Sequence, residues 1–581
     1  MPATLEEVSR LGKIVWVKSS ERSCYHDAAS IYAGVIIEEE IVFSNVMTRK
    51  DFLAAALAGG IGSTPGISPA LAQSSKAKAT ALPGPGRTFF DVRTFGATGD
   101  GKTLDTSPIN QAIETISAAG GGTLFFPAGS YLCYSIRLKS LVSLYLDAGA
   151  IIVAAEVPKE GTTTEGYDPA GPPQDWERYQ DFGHNHWRNS LLWGEDLHDI
   201  SIFGPGLIWG KGLSRGESNE LPRAESPGAG NKAIALKNCR NVTFRDFSML
   251  MCGHFAMLLT GVDNLVIDGL KIDTNRDGLD IDCCRNVHVS NCTINSPWDD
   301  AIVPKSSFAL GYPRPTENLT ISNCYVTGAY DYGTLLDGTF KQMSYRKGER
   351  RPIGRIKFGT ESNGGFKNIA VSNCIFEYCR GLALETVDGG LMEDITLTNL
   401  TMRGMVHSPI FLRLGARLRA PEGIKTGVLR RVILSNIVSS NAVAEYPSIL
   451  SGIPGSLIED IKVSDVYLHQ LGGGPKEWAA LEPPEKENGY PEATMFGILP
   501  ARGFFVRHAR NLEFSNIEVA SEKSDDRPAF WMHDVEGVDL FRVKAGKDTT
   551  AYSLRDVKDF RSFGSKDFPD RIEASVSRLD F

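Results

Sequence analysis

One eight-residue phrase returns from about residue 198 onward in this chain and limits what it can fold into. The phrase opens on a polar residue, usually followed by Asn, runs as an apolar-polar-apolar strand and closes on Ser-Asn or a similar turn. It reads RNVTFRDF from Arg240, DNLVIDGL from Asp263, RNVHVSNC from Arg285, ENLTISNC from Glu317 and KNIAVSNC from Lys367. Later copies are EDITLTNL from Glu393, RRVILSNI from Arg430, EDIKVSDV from Glu459 and RNLEFSNI from Arg510. The first three intervals are 23, 22 and 32 residues, so the longer ones carry inserted loops. A unit this short, with no helix between its strands, cannot bury its apolar face alone and must stack on its neighbours. Stacked turns then form parallel sheets along one axis, giving an all-β solenoid, a parallel β-helix. A propeller would want four strands in each blade of about 40 residues, and the dense copies here are too short for that.

Inside the repeat, Asp273 to Ser306 reads DTNRDGLDIDCCRNVHVSNCTINSPWDDAIVPKS. With a coil of about 23 residues, Asp300 falls directly above Asp277, Leu279 stacks on Ile302, Asp282 lies beside Lys305, and His254 falls under Asp277 one coil below. Asp299 precedes Asp300 and therefore projects in a different direction. Three carboxylates on adjacent strands repel one another, which raises at least one pKa. A protonated acid then stands beside an ionised base, the pair that glycosidic hydrolysis uses. Asp280 and Asp282, taken alone, read as turn residues.

The net charge of -9 argues against a general nucleic-acid binder, while leaving room for a polyanionic substrate met by a local basic cluster. The 59 glycines suit a chain of many tight turns. Ten cysteines lie scattered without a CxxC pair. Cys292, Cys324 and Cys374 occupy one position of the phrase and read as stacked buried thiols. Cys283 and Cys284 point to opposite faces if they lie on a strand.

Ahead of the repeat, residues 47–72 read as an export signal: a basic start, a short Ala/Leu/Gly run and Ala70-Leu71-Ala72 as a cleavage site. The start resembles a twin-arginine signal with Lys50 at the second arginine. Residues 1–46 are then an overextended reading frame or an extension, 73–88 a linker, and 89–581 the β-helix domain. An exported protein, periplasmic or extracellular, monomeric and free of the membrane once the signal is removed, is the expectation. Ile109, Ala112, Ile113 and Ile116 recur at helical spacing, predicting one short helix that caps the exposed sheet end.

From Thr88 to Arg542 the chain resembles glycoside hydrolase family 28, the polygalacturonase family. The resemblance rests on FGATGDG and GGGTLFFPAGSY near the start, GPGLIWGKG from Gly204, NRDGLD from Asn275, DDAIVPKS from Asp299 and RIKFGTESNGG from Arg355. It implies a right-handed coil and single-displacement hydrolysis with inversion, needing no metal or other cofactor. Asp299 would protonate the leaving oxygen, and Asp277 and Asp300 would hold and activate the water. Arg355 and Lys357 would grip a sugar carboxylate, a role suited to a forked guanidinium and a point charge. Two departures bear on substrate. Arg276 replaces the threonine of the family's Asn-Thr-Asp, and Tyr332 falls where its Gly-His-Gly places histidine, a role for which Tyr332 or His254 could substitute.

Among other residues, His184 and His186 read as loop histidines with no third metal ligand evident, and Trp176 and Trp187 read as packing for that loop. Arg413, Arg417 and Arg419 suit equally a basic groove lining and a solvated face. The segment PPEKENGYP, Pro483 to Pro491, is a candidate groove wall. The reading is a hydrolase of α-linked galacturonic acid or related pectic polysaccharide. A rhamnogalacturonan or other pectic-oligosaccharide hydrolase, a pectic lyase with a calcium site, and a non-catalytic carbohydrate-binding β-helix stand as alternatives.

Overall fold

The recurring phrase occupies one column of a parallel stack. In the computed structural model, which describes residues 89–158, 166–215, 226–344, 351–546 and 550–581, Arg240 pairs with Asp263, Asp263 with Arg285, Arg285 with Glu317 and Glu317 with Lys367. The column continues through Glu393, Arg430, Glu459 and Arg510. It extends beyond the legible copies to His198 at one end and to Glu536 and Lys558 at the other. The expected segments 1–46, 47–72 and 73–88 lie outside the described residues.

Three properties of the phrase explain the column. Its first position alternates in charge from Arg240 to Lys558, so each residue meets an opposite charge above and below, as in the 2.6 Å Arg285–Glu317 pair. At its second position Asn241, Asn264, Asn286, Asn318 and Asn368 all have φ between 53° and 56°. Asparagine visits this left-handed region more readily than most residues. Its amides also bond from coil to coil, Asn286 to Asn264 at 3.1 Å and Asn318 to Asn286 at 2.9 Å. The third position faces inward, where Val242, Leu265, Val287, Leu319 and Ile369 are buried one above another. Cys292, Cys324 and Cys374 are likewise free and buried, as expected of a thiol row.

Both ends of the stack are covered. The helix Thr106–Ala118 buries Ile109, Ala112, Ile113 and Ile116 against the first strands. At the other end, Arg571–Asp580 pairs antiparallel with Tyr552–Phe563 and ends the parallel series. An antiparallel closing strand blocks further in-register addition. Cys283 and Cys284 do not lie on a strand: Asp277–Asp282 ends before them, Cys283 takes φ 55°, and both are buried.

Candidate active site

Along one face, the strands Phe255–Thr260, Asp277–Asp282, Ile302–Lys305 and Ile356–Phe358 stack in order. Leu279 pairs with Ile302 and Asp282 with Lys305, and Gly278 donates to the Asp300 carbonyl at 3.0 Å, so Asp300 follows Asp277 by one coil as the spacing predicts. The coil below is one residue shorter. Phe255, not His254, therefore pairs with Asp277. His254 stacks on Phe255 with ring centroids 4.2 Å apart and remains at the site. Burial, and after it the charge of Arg276, holds the His254 pKa well below the usual range, so the imidazole is neutral.

Asp277, Asp299 and Asp300 each offer an oxygen within 4.8 Å of the others. They line a cavity of about 210 Å³ with His184, His254, Arg276, Lys305, Lys357 and Tyr490. Their surroundings differ. Asp277 is buried, and burial, then the charges of Asp299 and Asp280, push its pKa well above the carboxylate range. Burial also works to raise Asp300, but Lys357 and Arg355 more than offset it and hold that carboxyl down. Arg355 Nε donates to Asp300 at 2.8 Å, and Lys357 Nζ lies 3.4 Å from its other oxygen. Asp299 is the most open of the three, its side chain 19% exposed, and pairs with Arg276 at 2.7 Å. Three carboxylates this close could also gather a cation; here Arg276 pairs with Asp299, and Arg355 and Lys357 both face Asp300.

Beneath them lies a polar cluster that the repeat does not announce. Lys305 pairs in register with Asp282, yet its ammonium turns to Asp280 at 3.3 Å, Glu361 at 3.7 Å and His184 Nε2 at 3.0 Å. Asp282 instead accepts from the Ser307 amide and hydroxyl. Asp280 is no turn residue: it is fully buried mid-strand, and burial, opposed by Lys305, lifts its pKa to about 6. His184 is also more than a loop histidine. It is buried, bonds Glu361 through Nδ1 and lines the same cavity as the acids. Asp181, His184 and Glu361 offer atoms close enough for a cation, a position that the Lys305 ammonium already serves.

The candidate wall does border the groove. Tyr490 receives bonds from Lys357 Nζ at 3.1 Å and from the Thr360 hydroxyl at 3.0 Å. Two residues on, Glu492 accepts from both terminal nitrogens of Arg355 at 3.1 and 3.0 Å, from Arg380 at 2.6 Å and meets His407 at 3.1 Å. These groups bound a second cavity of about 330 Å³ beside Asp299 and Asp300. Arg355 is therefore 2% exposed with its fork filled from within the chain. Tyr332 lines neither cavity.

Trp187 is buried and bonds Thr260, and Trp176 bonds the Ala309 carbonyl, so both pack the 175–189 loop onto the coil. Arg413 is no solvated side chain: it is 1% exposed and donates to the carbonyls of Gly452, Glu485 and Lys486. Arg417 pairs with Asp388, and Arg419 pairs with Asp181, which lines the 210 Å³ cavity. Arg380 and Glu492 carried no sequence signal because they arrive on loops from separate coils, outside any period; His184 and Glu361 stood in stretches the sequence singled out, but no period announced that they would meet.

Comparison with known proteins bears on the fold that carries these residues. Residues 89–180 match a family described as rhamnogalacturonase A/epimerase, pectate lyase-like, and residues 216–347 match a right-handed β-helix region. A probable polygalacturonase of Vitis vinifera is 24% identical over 54% of this chain and 60% of its own length. A polygalacturonase of Chamaecyparis obtusa is 24% identical over 48% and 49%. The chain thus spans about half to three-fifths of these two relatives. The family 28 exopolygalacturonase structure of Yersinia enterocolitica aligns over 78% of both chains at 20% identity and a TM-score of 0.56. The fold is a right-handed parallel β-helix, and the resemblance read from the motifs extends to relatives that bear the polygalacturonase name.

Proposed function

We propose that this chain, a right-handed β-helix related to the polygalacturonases, is an exported glycoside hydrolase that cuts a pectic chain with Asp277, Asp299 and Asp300. The observation that carries the reading is the unequal loading of three adjacent carboxylates. Asp300, paired with Arg355 and Lys357, stays ionised and serves as the base, while Asp277 keeps its proton. Asp299 faces the groove and is the member that can reach a bound glycosidic oxygen.

In the proposed reaction Asp300 takes a proton from water as the water oxygen bonds to the anomeric carbon. The carbon-oxygen bond to the leaving sugar breaks as Asp299 gives that oxygen a proton. Asp299 enters the step protonated and leaves it ionised, Asp300 does the reverse, and solvent carries the proton from Asp300 back to Asp299 before the next turnover. Asp277, neutral, holds the water by hydrogen bonding. For Asp299 to act, the incoming sugar must take Arg276 away from it so that it can take up its proton, which gives the residue absent from the usual motif a place in substrate choice.

The carboxylate spacing is shorter than the roughly 6.5–9.5 Å usual for inverting pairs, so stereochemistry is part of the test. Mature protein is incubated with pectic polymers while reducing ends, unsaturated ends and the anomer first released are followed. New reducing ends with inverted configuration support the reading. Unsaturated ends point to a lyase, and binding without cleavage to a carbohydrate-binding β-helix. Asp299→Asn should abolish turnover and spare binding; near-normal turnover would refute its role as the acid.

A further inference from the structure

Beside the acids, the 330 Å³ cavity is lined by the cations Arg355, Lys357 and Arg380, while Asp299 turns to Arg276. These cations are engaged before any substrate arrives: Lys357 and Arg355 on Asp300, Arg355 and Arg380 on Glu492. A sugar carboxylate entering here would find no open fork, because Arg355 already holds Glu492 on both terminal nitrogens and Arg380 holds it on a third bond.

Glu492 is not a plug that a substrate could swing aside. It accepts from its neighbour Ala493, and Ala493 and Phe496 are buried with Phe411, Phe505 and Trp531 in a separate apolar cluster. Moving the carboxylate would pull those side chains from their packing or leave a buried charge unpaired, each costly. The remaining walls, Ile353, Thr494 and Met495, are apolar or weakly polar and suit a methyl group or ester better than an anion.

We propose that Glu492 is a specificity-determining residue: its carboxylate fills the Arg355–Arg380 fork, so the sugar seated between Tyr490 and Met495 carries no ionised carboxylate. This rests on the glycoside-hydrolase reading and replaces, for that one subsite, the carboxylate grip expected of Arg355 and Lys357. A deoxyhexose and a uronate whose acid is esterified both have the required chemistry.

The test compares kcat/KM on three oligosaccharides of equal length: fully ionised oligogalacturonate, its methyl ester, and one alternating galacturonate with an uncharged deoxyhexose. At least one uncharged arm should exceed the ionised one by about tenfold or more, and the better arm identifies the sugar. Glu492→Gln keeps the shape and removes the charge, and Glu492→Ala opens the fork; both should raise the preference for the ionised substrate by about tenfold. An intact protein that prefers ionised oligogalacturonate overturns the inference while leaving the hydrolase reading standing. If no substrate is cut, that reading falls, and calorimetric binding of the same three ligands still decides. Tighter binding of an uncharged ligand supports the role of Glu492, and equal or tighter binding of the ionised one overturns it.

Discussion

Replacing Lys357 by methionine would remove one of the two cations that keep Asp300 ionised while filling nearly the same space. Its Nζ stands 3.4 Å from the carboxylate, and both side chains are buried. At an effective dielectric of about 20 that pair is worth roughly 5 kcal/mol, from 332/(εr), or more than three pH units at about 1.4 kcal/mol each. Arg355 remains at 2.8 Å, and water entering beside the methionine screens part of the change. The realised shift should be about 1–2 units, within the range seen for a carboxylate beside a cation. The sign follows from the roles. Loss of the cation raises the Asp300 pKa, so the base is protonated at higher pH and the acidic limb of kcat/KM moves upward. The wild-type limb should lie below the ordinary carboxylate range. The assay is reducing-end release across the pH range for both proteins, with the limb position as the readout, since Lys357 also anchors Tyr490 and affects rate separately. An acidic limb that stays put would show that Asp300 is not the titrating base.

Arg276→Gln withdraws a cation that lowers Asp277, so the alkaline limb should move up by about half a unit; a downward move would contradict the placement of the proton. Asp277→Asn preserves a neutral side chain and should lose about tenfold in kcat, whereas Asp300→Asn should lose about a thousandfold, and equal losses would argue that both act as ionised bases. Asn318→Ala breaks amide bonds to Asn286 and Asn368 at a left-handed position. It should cost about 1–2 kcal/mol and lower the thermal midpoint, with Asn318→Gly losing less; an alanine variant as stable as wild type would remove the asparagine column as a stabilising device.

The solenoid was legible because its repeat is local. Charge, asparagine, strand and turn recur in each phrase, and a single coil has one good way to meet its neighbour. The same arithmetic stacked Asp300 on Asp277 and set Asp299 apart. It failed by one residue at His254, where a 22-residue coil brought Phe255 under Asp277 instead. It could not assign Lys305, whose register with Asp282 is as expected while its ammonium turns to Asp280 and His184.

What the sequence by itself determined is the coil, its axis and the three carboxylates upon it, since each depends on residues within about one turn of one another. The tertiary structure decided which of those carboxylates keeps its proton and which cation each faces. His184 and Glu361 close the cluster across 177 residues of chain, and Glu492 reaches Arg355 across 137. Such meetings leave no period in the sequence, because inserted loops of unrelated length bring them together. Electrostatic energy depends on the distances that only the folded coil sets.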